Sequence, residues 1–342
     1  MWWAGVAWRG SDFEALVVDD EGREVVPTTT FSGTHTAQLI ELLAKYAADE
    51  GAGLGTVIDS TNGVLDGHLL ALGLDVYRAD PWSLPGRPAF GSVPARDLVD
   101  CARTDFPALS KLTISDGTLT GRVEEYLAGL ARSAEIEPEL IRTGQCFHRG
   151  SAQLPEIALT FDDGPHPAFT PQVLEILRRY GAVATFFCVG LNVSGYPHLV
   201  RRTVDEGHLV ANHTWSHPYL PDLTRDELLR QIDATNDALR RATGRPSTLV
   251  RPPYGGRTPE VLGWLAGHGV TTVLWDIDAS DWAVPGTDTI VARASQAAEG
   301  SVILMHDAGG DRTQTIAALP RILEHLGERG YQFVTLDKLI AG

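Results

Sequence analysis

Cysteine is scarce in these 342 residues: Cys101, Cys146 and Cys188, an odd number set far apart. That excludes a disulfide framework, and no Cys-x2-Cys pair is present to form a metal knuckle. Basic residues are also short, 28 Lys and Arg against 44 Asp and Glu, which leaves a formal net charge of −16. Nonspecific attachment to nucleic acid or to an anionic membrane needs a basic surface, so neither partner is expected. No apolar run reaches the roughly 18 residues that cross a bilayer. The opening stretch MWWAGVAWRGSDFEALVVDDEG has no basic segment followed by a sustained apolar one, and it turns acidic at Asp12. It is therefore unlike a secretory leader. A cytoplasmic location is the expectation, with secretion as the alternative if a leader has been removed. Internal repeats and low-complexity tracts are missing as well, leaving ordinary globular packing.

The remaining composition, 43% hydrophobic and 21% charged, suits a chain with substantial cores, and the length predicts about two domains. Residues 1–115 read as a small α/β unit. WWAGVAW and FEALVVDDEG are apolar runs meeting near Gly10-Ser11, which predicts a hairpin. AQLIELLAKYAADEG has helical period, GTVIDST and DVYRADP read as strands, and LDGHLLALG as a helix. A Pro/Gly-rich stretch, DPWSLPGRPAFGSVPA, is less regular. Residues 116–150 contain an amphipathic helix, GRVEEYLAGLARSAE, and a connector from Gly144 to Pro155 leads into a second unit, 151–342. There short apolar runs (IALTF, ATFFCVG, HLVAN, STLVRPP, TTVLWDID, SVILMHD, QFVTL) alternate with helical stretches. Such alternation predicts βα units and a mainly parallel sheet or barrel, with chemistry at the C-terminal ends of the strands.

The polar residues of interest follow those apolar runs. LPEIALTFDDGPHP ends a buried strand on Asp162 and Asp163. An Asp-Gly turn explains them alone; the sharper reading is that one carboxylate binds something and the other does chemistry on it. ANHTWSH places His213 and His217 four apart, on one face if the stretch is a helical turn. With one aspartate they could hold a metal and leave a position open for water, although a polar loop can carry two histidines incidentally. TLVRPPYGGRTPE offers Arg251, able to pin a carboxylate, on a proline-stiffened loop. LWDIDASDW carries Asp276, Asp278 and Asp281 before Trp282, and VILMHDAGGDR delivers His306 and Asp307. A histidine oriented by a carboxylate makes a good general acid near neutrality.

Together TFDDG, HTWSH, RPPYG, DASDW and LMH resemble, in order, the five motifs of the NodB-homology polysaccharide deacetylases, carbohydrate esterase family 4, over about residues 155–340. The resemblance implies a distorted (β/α) barrel and one divalent metal ion, usually zinc, held by Asp163, His213 and His217. It implies Asp162 as base, Arg251 holding it, and His306 as acid tuned by Asp281. Trp282 and Leu304 would line an acetyl-methyl pocket, and the Tyr254 backbone N–H would meet the oxyanion.

The N-terminal unit faintly resembles the RNase H-like domain of certain transposases, with Asp59 and the Thr104-Asp105 pair at positions where those enzymes carry acidic residues. Ala7 stands where a third would be, and loss of a carboxylate disables two-metal cleavage. Residues 1–115 hold 16 Asp and Glu against 8 Lys and Arg. The expectation is a non-catalytic domain that packs on the barrel or mediates homo-oligomer formation. The whole chain is therefore expected to hydrolyse an N-acetyl group from an amino sugar or N-acetylated oligosaccharide. The alternative within the class is an amidase for a non-sugar N-acyl or cyclic amide. A binding protein on an inactive barrel and a nucleic-acid enzyme are the readings outside it.

Overall fold

The computed structural model describes residues 1–8, 12–32, 37–48, 53–59, 65, 69–70, 72–79, 93–112, 114–115, 118–119 and 123–342. They group into two compact units, Met1–Glu125 with Ser216–Pro218, and Tyr126–Trp215 with Tyr219–Gly342. Residues 66–68 and 71 of LDGHLLALG and most of the Pro/Gly-rich stretch lie outside the described residues.

The first unit is built on a six-stranded sheet. β1 (Trp2–Trp8), β2 (Asp12–Val18) and β3 (Glu24–Ser32) form an antiparallel meander, with Trp3 opposite Val18 and Trp8 opposite Phe13. Asp19 closes the second turn, its carboxylate accepting from the backbone N–H groups of Glu21 (3.0 Å) and Arg23 (2.9 Å). β4 (Leu54–Ile58) runs parallel to β1, β5 (Asp75–Arg78) parallel to β4, and β6 (Ser110–Leu112) antiparallel to β5. The order is β3-β2-β1-β4-β5-β6. Trp3, Leu16, Val18, Val57 and Tyr77 pack against Leu98 and Val99 of the helix Ala95–Thr104. Gly5 permits that packing, since a Cβ there would collide with the Ala95 carbonyl. Ala7 and Asp59 are buried, whereas Thr104 and Asp105 are exposed. A small hairpin pairs β7 (Ile114–Ser115) with β8 (Thr118–Leu119).

The amphipathic helix runs from Val123 to Arg142, and the second unit begins within it at Tyr126. The expected connector contains a strand, β9 (Cys146–Phe147), that joins the sheet beside β14. β10 (Glu156–Asp162), β11 (Thr185–Cys188), β12 (Leu209–Asn212), β13 (Leu249–Val250), β14 (Thr271–Val273), β15 (Ile277–Asp278), β16 (Val302–His306) and β17 (Gln332–Phe333) follow. The parallel ladder runs β15-β16-β10-β11-β12-β13-β14-β9, with β17 also beside β10. β10 is buried along its whole length, as expected of a central parallel strand covered on both faces. The barrel is an open one: among the described residues no ladder joins β9 to β15. Ala158, Phe187, Ala211, Leu249, Val273 and Val302 form one core cluster, while Leu228, Ile232, Val250, Val261 and Leu265 form another that seats the helices Arg225–Thr243 and Pro259–Gly267. No described helix is long and apolar enough to cross a membrane.

Candidate active site

Every expected catalytic or metal-binding side chain stands at, or just beyond, the C-terminal end of a strand. Asp162 ends β10 and His306 ends β16, paired in register. Asp163 follows β10, His213 follows β12, Arg251 follows β13, and Asp281 opens the turn after β15. β10, β12 and β16 bring their apolar residues to the core, so each strand's exit is fixed by packing far from the chemistry.

Arg251 is the hub. It is fully buried, and one guanidinium nitrogen donates to Asp162 Oδ1 at 2.7 Å and to the Thr160 hydroxyl at 2.8 Å. Its other N–H groups donate to the carbonyls of Val273 (3.3 Å) and Leu274 (3.2 Å), and its plane lies 4.1 Å from the Phe187 ring centroid. Burial pulls the Arg251 pKa below the ordinary arginine value, and the Asp162 carboxylate opposes that shift. An ion pair this buried is retained where both partners are fully hydrogen-bonded.

The Arg251 carbonyl lies 2.7 Å from His213 Nδ1. A carbonyl only accepts, so Nδ1 carries the proton and Nε2 presents its lone pair. That Nε2 is 3.5 Å from Asp163 Oδ1 and 3.6 Å from Asp162 Oδ2. Ligand atoms of Asp163, His213 and His217 all lie within 4.8 Å of one another, and the three residues are buried. The two imidazoles do not meet on a helical turn, as the spacing predicts. They sit on an irregular loop in which Thr214 (φ 67°) and His217 (φ 58°) are left-handed. Thr214 N–H donates to the Asn212 side chain (2.8 Å) and Trp215 N–H to Gln231 (2.8 Å), which ties that loop to the β12 end and to the helix behind it. Asp163 is left-handed too, at φ 76°, and its carbonyl accepts from Asn192 at 2.7 Å. One carboxylate and two imidazoles, with the His213 proton directed away from the cluster, fit a zinc-type donor set with an open position.

Opposite this cluster His306 Nδ1 lies 2.7 Å from Asp281 Oδ1. The other Asp281 oxygen accepts from His306 N–H (2.9 Å) and the Thr315 hydroxyl (2.7 Å), while Arg312 donates to the Asp281 carbonyl at 2.9 Å. Burial disfavours a charged His306, but the charge and hydrogen bond of Asp281 outweigh it and push the pKa up to about 9. For Asp281 burial works the other way, and the partnership with His306 still holds its pKa below the ordinary value. Asp307 does not orient His306. Its carboxylate accepts from the Thr170 hydroxyl at 2.5 Å, Thr170 accepts from His166 N–H at 2.7 Å, and Asp307 N–H donates to the Asp162 carbonyl at 3.2 Å. Gly164 lies beneath this clamp, where a Cβ would collide with the Asp307 carboxylate.

Leu304 is buried on β16, two residues before His306 and so on the same face. Trp282 is 39% exposed in the turn after Asp281. Tyr254 sits in the left-handed region at φ 60°. Asp276 and Asp278 stay outside the cluster: Asp276 accepts from Val302 N–H and Ser301, and Asp278 caps Ser280 N–H. Thr160, Thr170, Asn192, Arg312 and Thr315 are supports the sequence reading omits. Thr160 was within its reach, being two residues before Asp162 on one strand face; Thr315 comes from a helix distant in sequence and gives no local signal.

Residues 149–273 match the family described as polysaccharide deacetylase. A peptidoglycan-N-acetylglucosamine deacetylase of Bacillus cereus is 42% identical over 187 residues, 54% of this chain and 87% of the relative. The chain belongs to the polysaccharide deacetylase family. A chitooligosaccharide deacetylase of Sinorhizobium fredii is 42% identical over 195 residues, covering 54% of this chain and 91% of that protein. Among solved structures, a peptidoglycan N-acetylglucosamine deacetylase crystallised with a benzamide ligand superposes with a TM-score of 0.58 at 36% identity, spanning 60% of this chain and 96% of the other. The polysaccharide deacetylase fold, the enzyme class and a candidate Asp/His/His metal site thus agree with the motifs.

Proposed function

We propose that the protein removes the acetyl group from N-acetylated amino sugars, in oligosaccharide or polymer form, with zinc held by Asp163, His213 and His217. The observation that carries this reading is the pair of hydrogen-bonded assemblies at the ends of neighbouring strands, Asp162–Arg251 at β10 beside the ligand trio and His306–Asp281 at β16. A bound zinc ion supplies a Lewis acid that polarises the amide carbonyl and makes water acidic near neutral pH.

The chain's own residues do the rest. Asp162, held in place by Arg251, takes the proton of the attacking water. The Tyr254 backbone N–H is the donor for the negative oxygen that develops on the former carbonyl. His306 gives its Nε2 proton to the departing amine nitrogen, while Asp281 holds Nδ1 and stabilises the imidazolium beforehand. Leu304 and Trp282 flank the acetyl methyl group. The relatives named for peptidoglycan and chitooligosaccharide deacetylation support an N-acetylglucosamine-type substrate.

The test is a panel of N-acetylglucosamine oligomers, peptidoglycan fragments and non-sugar N-acyl and cyclic amides, offered to zinc-loaded protein and scored for acetate and free amine. Acetate release from the sugars, absent in Asp162→Asn, is expected. Turnover confined to the non-sugar amides would replace the reading with an amidase. No turnover of any amide by protein that holds zinc would overturn it.

A further inference from the structure

The helix Val123–Arg142 precedes the family-matched segment and carries none of the five motifs. Its first described side chain nevertheless reaches the catalytic loop: the Tyr126 hydroxyl donates to the Tyr254 carbonyl at 3.0 Å. We propose that Tyr126 is a positioning residue for the oxyanion donor: it fixes the Tyr254–Gly255 peptide, and with it the left-handed turn that orients the preceding peptide carrying the Tyr254 N–H. The inference rests on the role given to Tyr254 above.

Tyr254 needs such a hold because its backbone, at φ 60° and ψ 8°, is left-handed. For a residue with a Cβ that conformation is strained and persists only where the surroundings over-determine it. The restraints converge from both sides. Pro252 and Pro253 stiffen the approach, and turn bonds run from Gly255 N–H to the Pro252 carbonyl (3.0 Å) and from Gly256 N–H to the Pro253 carbonyl (2.9 Å). Gly256 lies against the Tyr219 ring so closely that a Cβ would collide with it, and the Tyr219 ring is 6.1 Å from that of Tyr126. The next carbonyl, that of Gly255, accepts from Arg257 at 2.9 Å, and Arg257 is in turn paired with Glu137 of the same helix at 2.6 Å. Tyr126, Gly129, Ser133 and Glu137 follow helical spacing along one face. Gly129 brings that face close, since a Cβ there would meet the Arg257 carbonyl at 3.0 Å. One helix face thus pins two successive carbonyls of the loop, and Tyr126 pins the one belonging to the left-handed residue.

The experiment uses the full-length, zinc-loaded protein and an N-acetylglucosamine oligomer. Tyr126→Phe removes one hydroxyl and keeps the ring. A kcat about tenfold lower is expected, the rate equivalent of one hydrogen bond of ordinary strength, with KM and zinc affinity within about twofold of wild type. Glu137→Gln, which loosens the second carbonyl, is expected to lower kcat by about threefold with the same split. Tyr180→Phe, which removes a surface hydroxyl bonded to Glu324, is the control expected to leave kcat unchanged. A crystal structure of Tyr126→Phe gives the readout independent of turnover: Tyr254 is expected to leave the left-handed region or show two conformers. Unchanged kcat together with an unmoved Tyr254 overturns the proposal, as does a loss that falls on KM or zinc affinity. Wild-type protein that binds zinc but deacetylates nothing would instead bring down the functional reading, and this inference with it.

Discussion

Asp162 and Asp163 are adjacent and both approach His213, yet only Asp162 meets Arg251, and the backbone turns left-handed at Asp163. Asp162 is still in the strand and meets Arg251; Asp163, at φ 76°, is rotated out of the strand's alternation toward the histidines. Asp162→Asn keeps the shape but cannot take a proton, so kcat is expected to fall by about 10²- to 10⁴-fold with zinc content retained by atomic absorption. Asp163→Ala is expected to lose the zinc itself. His306 gives a pH prediction with a definite sign. Its pKa is raised from 6.5 to about 9 in the folded protein, so the stability it contributes is whole below pH 6.5 and disappears as pH rises through about 9. Melting temperature should therefore decline over that window, and Asp281→Asn should flatten the decline. The basic limb of kcat/KM should fall near pH 9 for the same proton, and shift downward in Asp281→Asn.

At the scale of elements, the loops carry the strain and the strands carry the order. Gly164→Ala forces a methyl group against Asp307 beneath the loop that holds both aspartates; zinc affinity is expected to weaken about 10- to 100-fold, as for other supports of metal ligands. Isothermal titration would measure it. The helix Arg225–Thr243 offers the contrasting case, a capping box between Thr224 and Glu227. Thr224→Ala is expected to lower unfolding stability by about 1 kcal/mol and leave kcat alone. What the sequence made legible follows the same division. Strands such as IALTF and SVILMHD, and the residues that end them, could be read from apolar runs because burial dictates both. The His213–His217 loop could not, since its course depends on the Asn212 side chain folding back onto Thr214 N–H and on Gln231 from a helix further along the chain. β9 was also illegible, two residues long and dependent on a partner strand far along the chain.

For the whole molecule the first unit remains to be assigned, and we propose that it is non-catalytic. Where the RNase H-like resemblance would place a further carboxylate, buried Ala7 stands, and Asp105 is exposed. Asp59→Asn and Asp105→Asn in the full-length chain are expected to leave deacetylation unchanged. Fluorescence anisotropy should detect no salt-dependent binding of the full-length protein to duplex DNA. A measurable loss of DNA affinity with rising salt would show a phosphate-binding face that the charge of −16 argues against.

The pairing of β10 with β16 also imposes an order in time. A chain emerging from synthesis has Asp163, His213 and His217 well before it has His306, because the strand that supplies the acid comes near the far end. Until β16 arrives, one edge of β10 has no neighbour on that side, a template for wrong pairing in a nascent or truncated chain. The candidate metal trio is therefore complete in the emerging chain before the acid is, and the docking of β16 covers that edge of β10 and brings His306 to its place beside Asp162.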